Sequence, residues 1–183
     1  MRSYFYICSM LREFQPSLIV LLRFAGIYLL LFLVYQTYLN RTEPQGLDPF
    51  SRSVAQQVKK IQEFAGYETT LHHVQELRTE RFAINGKFVS RMVEGCNALS
   101  VMILFASFVL AFYKGFQTMW FVLGGIIFLH LMNIFRIMGL NIVLYEYPQY
   151  GKVTHDYLFP GFIYGMVVIL WLVWIQFFAV KKR

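Results

Sequence analysis

The chain has 183 residues, of which 57% are hydrophobic, 19% aromatic and only 15% charged. A soluble domain of this length would carry charge on about a quarter of its residues, so the composition excludes an ordinary soluble enzyme. The mean hydropathy is +0.49. The formal charge of +7 suits attachment to an anionic membrane and gives no reason to invoke nucleic acid. These features describe an all-α polytopic membrane protein, a single membrane-embedded domain over residues 1–183, because lipid forces a spanning segment to satisfy its backbone internally.

Four apolar runs approach or reach the roughly 20 residues that cross a hydrocarbon core of about 30 Å. The first, 17–39, predicts a transmembrane helix retained as an anchor. It is too long for a signal-peptide core, and Tyr35-Gln36-Thr37-Tyr38 lacks a small-x-small cleavage site. An extracytoplasmic loop, 40–95, follows; it is too small for an independent core. Within it, Asp48-Pro49 and Ser51 mark a helix start, and Val54, Val58, Ile61 and Phe64 or Ala65 recur at helical spacing. That pattern predicts an amphipathic helix lying on the membrane surface. Asn85-Gly86, flanked by Phe82, Ile84, Phe88 and Val89, predicts a tight β-hairpin. His72-His73 have no cysteine or carboxylate at zinc-site spacing, so neither a metal nor another cofactor is expected.

The second helix is expected over 96–113, the third over 116–140 and the fourth over 158–180, ended by Lys181-Lys182-Arg183. An even number of spans puts Arg2, Arg12, Lys114 and that triplet on one side, the cytoplasm by the positive-inside rule. The long loop, with eight basic and seven acidic residues, then lies outside with a short loop around Glu146 to Asp156.

Three residues fall at that outer face. Cys96 sits where the loop meets the second helix; Cys8 lies across the membrane from it, so the two cannot pair. A thiol near a helix amino end is favoured as thiolate, although a small apolar residue at a packing interface would look the same. The third helix carries His130, Asn133 and Arg136 in one stripe. Ionisable groups at membrane depth mark function by default, the alternative for Arg136 being a side chain snorkelling to headgroups. At 1.5 Å per residue, Arg136 lies about 27 Å beyond Thr118, level with Cys96. His130 is deeper and reads as a structural hydrogen bond. His155, in an outer-loop segment, supplies the one side chain that ordinarily exchanges protons near neutral pH. A thiolate nucleophile, a fixed positive donor for an oxyanion and a proton carrier make a coherent set.

These residues resemble the exosortase/archaeosortase family, above all the short exosortase F type of Bacteroidetes. The family pattern is a Glu-x-Cys-(Ser or Asn) run opening one helix, an Asn-x-x-Arg near the end of the next, and a later His. Glu94-Gly95-Cys96-Asn97, Asn133-Ile134-Phe135-Arg136 and His155 match it in order. The resemblance implies a cysteine transpeptidase or protease of the bacterial cytoplasmic (inner) membrane, its site facing the periplasm. It would cleave C-terminal sorting signals of exported proteins through a thioester. Cys96, Arg136 and His155 would be catalytic, with Glu94, Asn97 and Asn133 orienting them. Many members of the family have more spanning helices, which leaves room for an accessory membrane protein beside the lipid bilayer and the exported substrates. The competing reading is a non-catalytic assembly or transport protein using the His130–Asn133–Arg136 stripe.

Overall fold

The computed structural model describes residues 2–42 and 46–179, with side chains over 14–42 and 46–178. The side chains of Arg2, Cys8 and Arg12, and the triplet Lys181-Lys182-Arg183, lie outside the described residues. Among the described residues, three helices are long and apolar enough to cross a membrane: Phe14–Thr42, Phe116–Glu146 and Pro148–Phe178. The first belongs to α1 (Arg2–Thr42) and the second is α4 (Phe116–Glu146). Between them lie α2 (Pro49–Phe64), strands β1 (Thr69–Val74), β2 (Thr79–Ile84) and β3 (Lys87–Met92), and α3 (Leu99–Ala111). The last segment begins with a 3-10 turn at Pro148–Tyr150, one helical turn α5 (Gly151–Val153) and a π turn at Thr154–Leu158. It continues through α6 (Phe159–Trp174) and a second π turn at Ile175–Ala179.

Several boundaries depart from the sequence reading. The second apolar helix starts at Leu99, not at residue 96, and its 13 residues rise only about 20 Å. Alone it is short of a full crossing, and it instead forms a central packed helix against α1, α4 and α6. Phe105 and Val109 of α3 are fully buried, in a cluster with Leu129, Ile163, Val167 and Trp174. The third helix runs to Glu146 rather than 140. At 31 residues it rises about 46 Å, well beyond the hydrocarbon thickness. The segment read as an outer loop before residue 158 is almost wholly helical from Pro148.

The projecting end of α4 is what the module between α1 and α3 is built on. Asp48 accepts the Ser51 N–H at 2.9 Å and Pro49 occupies the first turn, so α2 starts where its sequence signals it. Its apolar face does not lie on lipid. Val54, Ala55 and Val58 are buried against Phe82 and Met92 of the sheet and Ile134 and Ile137 of α4. A module too small for its own core thus borrows one wall from a membrane helix. The sheet is antiparallel with order β1-β2-β3, so the expected hairpin is two strands of three. Asn85 and Gly86 take φ of 49° and 77°, the left-handed pair that a tight hairpin needs. The hairpin tip is tied down by Asn85, which donates to the Tyr145 hydroxyl at 3.0 Å. The side chains of Ser90, Asn141 and Gln62 join β3, α4 and α2 by hydrogen bonds.

Candidate active site

β3 leads directly into the site. After Met92 the chain makes a turn over residues 94–97, closed by the Cys96 N–H donating to Val93 O at 3.1 Å. Gly95 and Ala98 both take positive φ, 88° and 58°. The second is strained for a residue bearing a Cβ. Asn97 holds this geometry from inside. It is fully buried, its Oδ1 accepts the Leu99 N–H at 2.9 Å, and its Nδ2 donates to Ser51 Oγ at 2.9 Å. Asn97 therefore caps α3 and ties it to α2. Cys96 lies in the turn, three residues before the helix, rather than in the opening turn expected for it.

α4 brings two donors to the same point. Asn133 Nδ2 donates to the Cys96 carbonyl at 3.0 Å, and Arg136 Nη2 reaches that carbonyl at 3.4 Å. Their spacing of three places both on one face of the helix, as the sequence stripe implied. The guanidinium is fastened to the backbone of the nucleophile candidate while its Nε is buried without a hydrogen-bond partner. Asn133 Oδ1 and Glu94 Oε1 are buried and unpartnered as well. Orphaned buried polar atoms are uncommon, and with His130 Nδ1 four of them belong to residues singled out from sequence. His130 is held through its other nitrogen, Nε2, 2.9 Å from Gln57 Oε1 of α2, with its ring tilted against Phe50.

The third candidate arrives from the last segment. Pro160 has no N–H to close the α-helical bond to Asp156 O, and the chain just before it opens into the π turn Thr154–Leu158. His155 sits in that turn, not in a loop, with its Nδ1 2.9 Å from Asp156 Oδ1. The carboxylate favours the tautomer with the proton on Nδ1, leaving Nε2 free for exchange. Asp156 was not among the candidates from sequence. Adjacent side chains on a helix normally diverge, and nothing in the sequence alone shows this pair meeting.

Cys96, Arg136 and His155 all line one cavity of about 250 Å³. Its walls are otherwise apolar, from Phe82, Met92, Ile137, Leu140, Leu144 and Phe159, with Ser90 and Arg91 along one side. Glu94, Asn97 and Asn133 are not in the lining: Asn133 bonds the Cys96 carbonyl, Asn97 bonds Ser51 and the Leu99 N–H, and Glu94 Oε1 is buried without a partner. Among the described residues no acidic residue lines the cavity, whereas two arginines, Arg91 and Arg136, do. No protein-family model, curated protein or solved structure matches the chain.

Proposed function

We propose that the protein is a membrane-embedded cysteine transpeptidase or peptidase of the exosortase kind, acting on C-terminal sorting signals of exported proteins. The observation that carries this reading is the meeting of Cys96, Arg136 and His155, from three separate elements, around one apolar cavity. Neither snorkelling of Arg136 nor burial of a small apolar residue at position 96 accounts for that meeting.

The chemistry follows from the geometry. The Cys96 thiolate attacks the scissile carbonyl carbon, forming the C–S bond as the carbonyl electron pair moves to oxygen. Arg136, half-buried and permanently charged, stabilises that oxyanion. The His155 imidazolium gives its Nε2 proton to the departing amine as the C–N bond breaks, leaving a thioester and neutral imidazole. Asp156 holds the ring with Nε2 available. An incoming water or amine then loses a proton to His155, attacks the thioester carbonyl, and expels the Cys96 thiolate. Asn133 and Glu94 position the Arg136–Cys96 pair, and Asn97 fixes the turn. In this reading the site faces the periplasm of a bacterial inner membrane; Lys114, at the opposite end of α4, supports it through the positive-inside rule.

The test is the set of exported-protein C termini in cells carrying wild type, Cys96→Ala or Arg136→Ala. Both variants should reach the membrane at normal levels and leave full-length precursors that wild-type cells lack. Continued processing by Cys96→Ala would sink the proposal. The transport alternative gains no support, because His130 is engaged by α2 and lies outside the cavity lining.

A further inference from the structure

β3 is an edge strand. The sheet order is β1-β2-β3, and among the described residues β3 has no backbone hydrogen bond to any element but β2. Ser90, Arg91 and Met92, three successive residues, all line the cavity. Successive side chains of a strand point to opposite faces, so contact by all three puts the cavity beside the strand's outer edge, while Phe82 of β2 lines it from the sheet's inner face. From the end of that edge the chain passes through Val93 and the turn at Glu94 and Gly95 to Cys96. A register shift opposite Phe82 and Ala83 leaves Val89 as the bulged residue, so Ser90–Met92 is the regular stretch beside the site.

The charges beside this edge are unusual. Arg81 and Arg91 stand directly opposite each other on β2 and β3. Like charges in that position destabilise a sheet, and among the described residues neither has a carboxylate partner. An acidic side chain on a strand added outside β3 would complete the row with an opposite charge.

We propose that the substrate binds as an extended peptide added to the free edge of β3, with an acidic side chain set against Arg91. Backbone pairing along Ser90–Met92 supplies affinity and register, and the register delivers the scissile carbonyl to Cys96. The inference rests on the peptidase reading of the cavity. A different role for Arg91, guarding an exposed edge against aggregation, would produce no preference for acidic peptides.

The test uses the full chain with Cys96→Ala, so that no bond is made, in phosphatidylcholine nanodiscs, with empty discs subtracted. The probes are a fluorescent hexapeptide of alternating valine and glutamate and its valine–glutamine counterpart. Two N-methylated forms of the first carry the methyl groups on the valine nitrogens or on the glutamate nitrogens. The glutamate peptide should bind about tenfold more tightly than the glutamine peptide, as one charge-assisted contact provides. Arg91→Gln should erase that preference, Arg91→Lys keep part of it, and Lys60→Gln, the same charge change on α2, leave it intact. A strand offers alternate amides to its neighbour, so one methylated isomer should lose binding and the other keep it. Equal binding of the glutamate and glutamine peptides, or of the two methylated isomers, would overturn the inference. Modification of wild-type Cys96 by iodoacetamide is followed separately. An inert thiol with intact, Arg91-dependent peptide binding would remove the peptidase reading and leave the peptide edge standing.

Discussion

At the scale of single residues, neighbours in sequence have unlike roles. Cys96 is half-buried at the cavity, while Asn97 is fully buried with both ends of its amide bonded. Asn97→Ala removes a helix cap and an interhelical hydrogen bond together, and should cost about 1–2 kcal/mol of stability. The check is the thermal unfolding midpoint in detergent; Asn97→Ser, which keeps a capping hydroxyl, should recover part of the loss. Asp156 is the opposite case. It is exposed, so Asp156→Asn should change stability by no more than about 0.5 kcal/mol. Precursor processing should nevertheless slow by about tenfold or more, because the carboxylate that holds the Nδ1 proton of His155 is gone. His155→Ala should slow it further. An Asp156→Asn variant that processes at the wild-type rate would remove Asp156 from the mechanism while leaving His155 in it. Arg136 was legible in sequence because a guanidinium at membrane depth is costly, and Cys96 and His155 were singled out with it because the topology places all three at one membrane face. Asp156 and Arg91 were not, since a carboxylate or an arginine in an outer segment is ordinary until its neighbours are known.

At the scale of elements, the close approach of α3 and α4 depends on one glycine. A Cβ placed on Gly125 would overlap the ring of Phe105, itself fully buried. Gly125→Ala should therefore destabilise the protein by about 1–3 kcal/mol through overpacking, despite the better helix propensity of alanine. A companion Phe105→Leu change should restore much of the loss in the same unfolding measurement. This contact shows why the sequence misplaced some elements and not others. α2 and the β2–β3 hairpin were readable because Asp48-Pro49 and Asn85-Gly86 are local chemistry, complete within a few residues. β1 was not, because Thr69 is its one buried residue and no apolar alternation marks it. The helical run from Pro148 was hidden by prolines and glycines that usually read as loop. Pro148 and Pro160 sit where a missing N–H is tolerated, at a first turn and beside a π turn. The extension of α4 past residue 140 escaped for a further reason. Asn141 looks like the end of a membrane helix, yet here Gln62 and Ser90 take up its amide.

At the scale of the whole molecule, connectivity constrains what the short helix α3 must do. Thr42, at the end of α1, leads into α2, and α2 packs against the same half of α4 that carries Ile134 and Ile137. The far end of α4 holds the hairpin through Tyr145, so the sheet, the end of α1 and the end of α4 share one side. On the four-span reading Gly115, opening α4, would lie on the other side, and α3 would return the chain across with only 13 residues. Its turn at residues 94–97 and Phe112 to Lys114 supply the remaining span, and bilayer thinning or polar flanks would meet any shortfall at modest cost. The arrangement predicts opposite accessibility for the two ends of α3. In sealed vesicles, in a Cys8→Ser background, a membrane-impermeant maleimide should modify Cys96 from one side. In the same background with Cys96→Ala, it should modify Lys114→Cys from the other side alone. Modification of both from the same side would mean that α3 folds back without crossing, and Arg136 and Cys96 would no longer share a membrane face. Opposite sides, with Cys96 reached from outside, would put the cavity where an exported protein still tethered by its C-terminal helix can present an extended segment to β3. An apolar cavity set at the membrane boundary is suited to such a substrate. Such a tether would raise the local concentration of the scissile segment, and the site would then need few contacts of its own to select it.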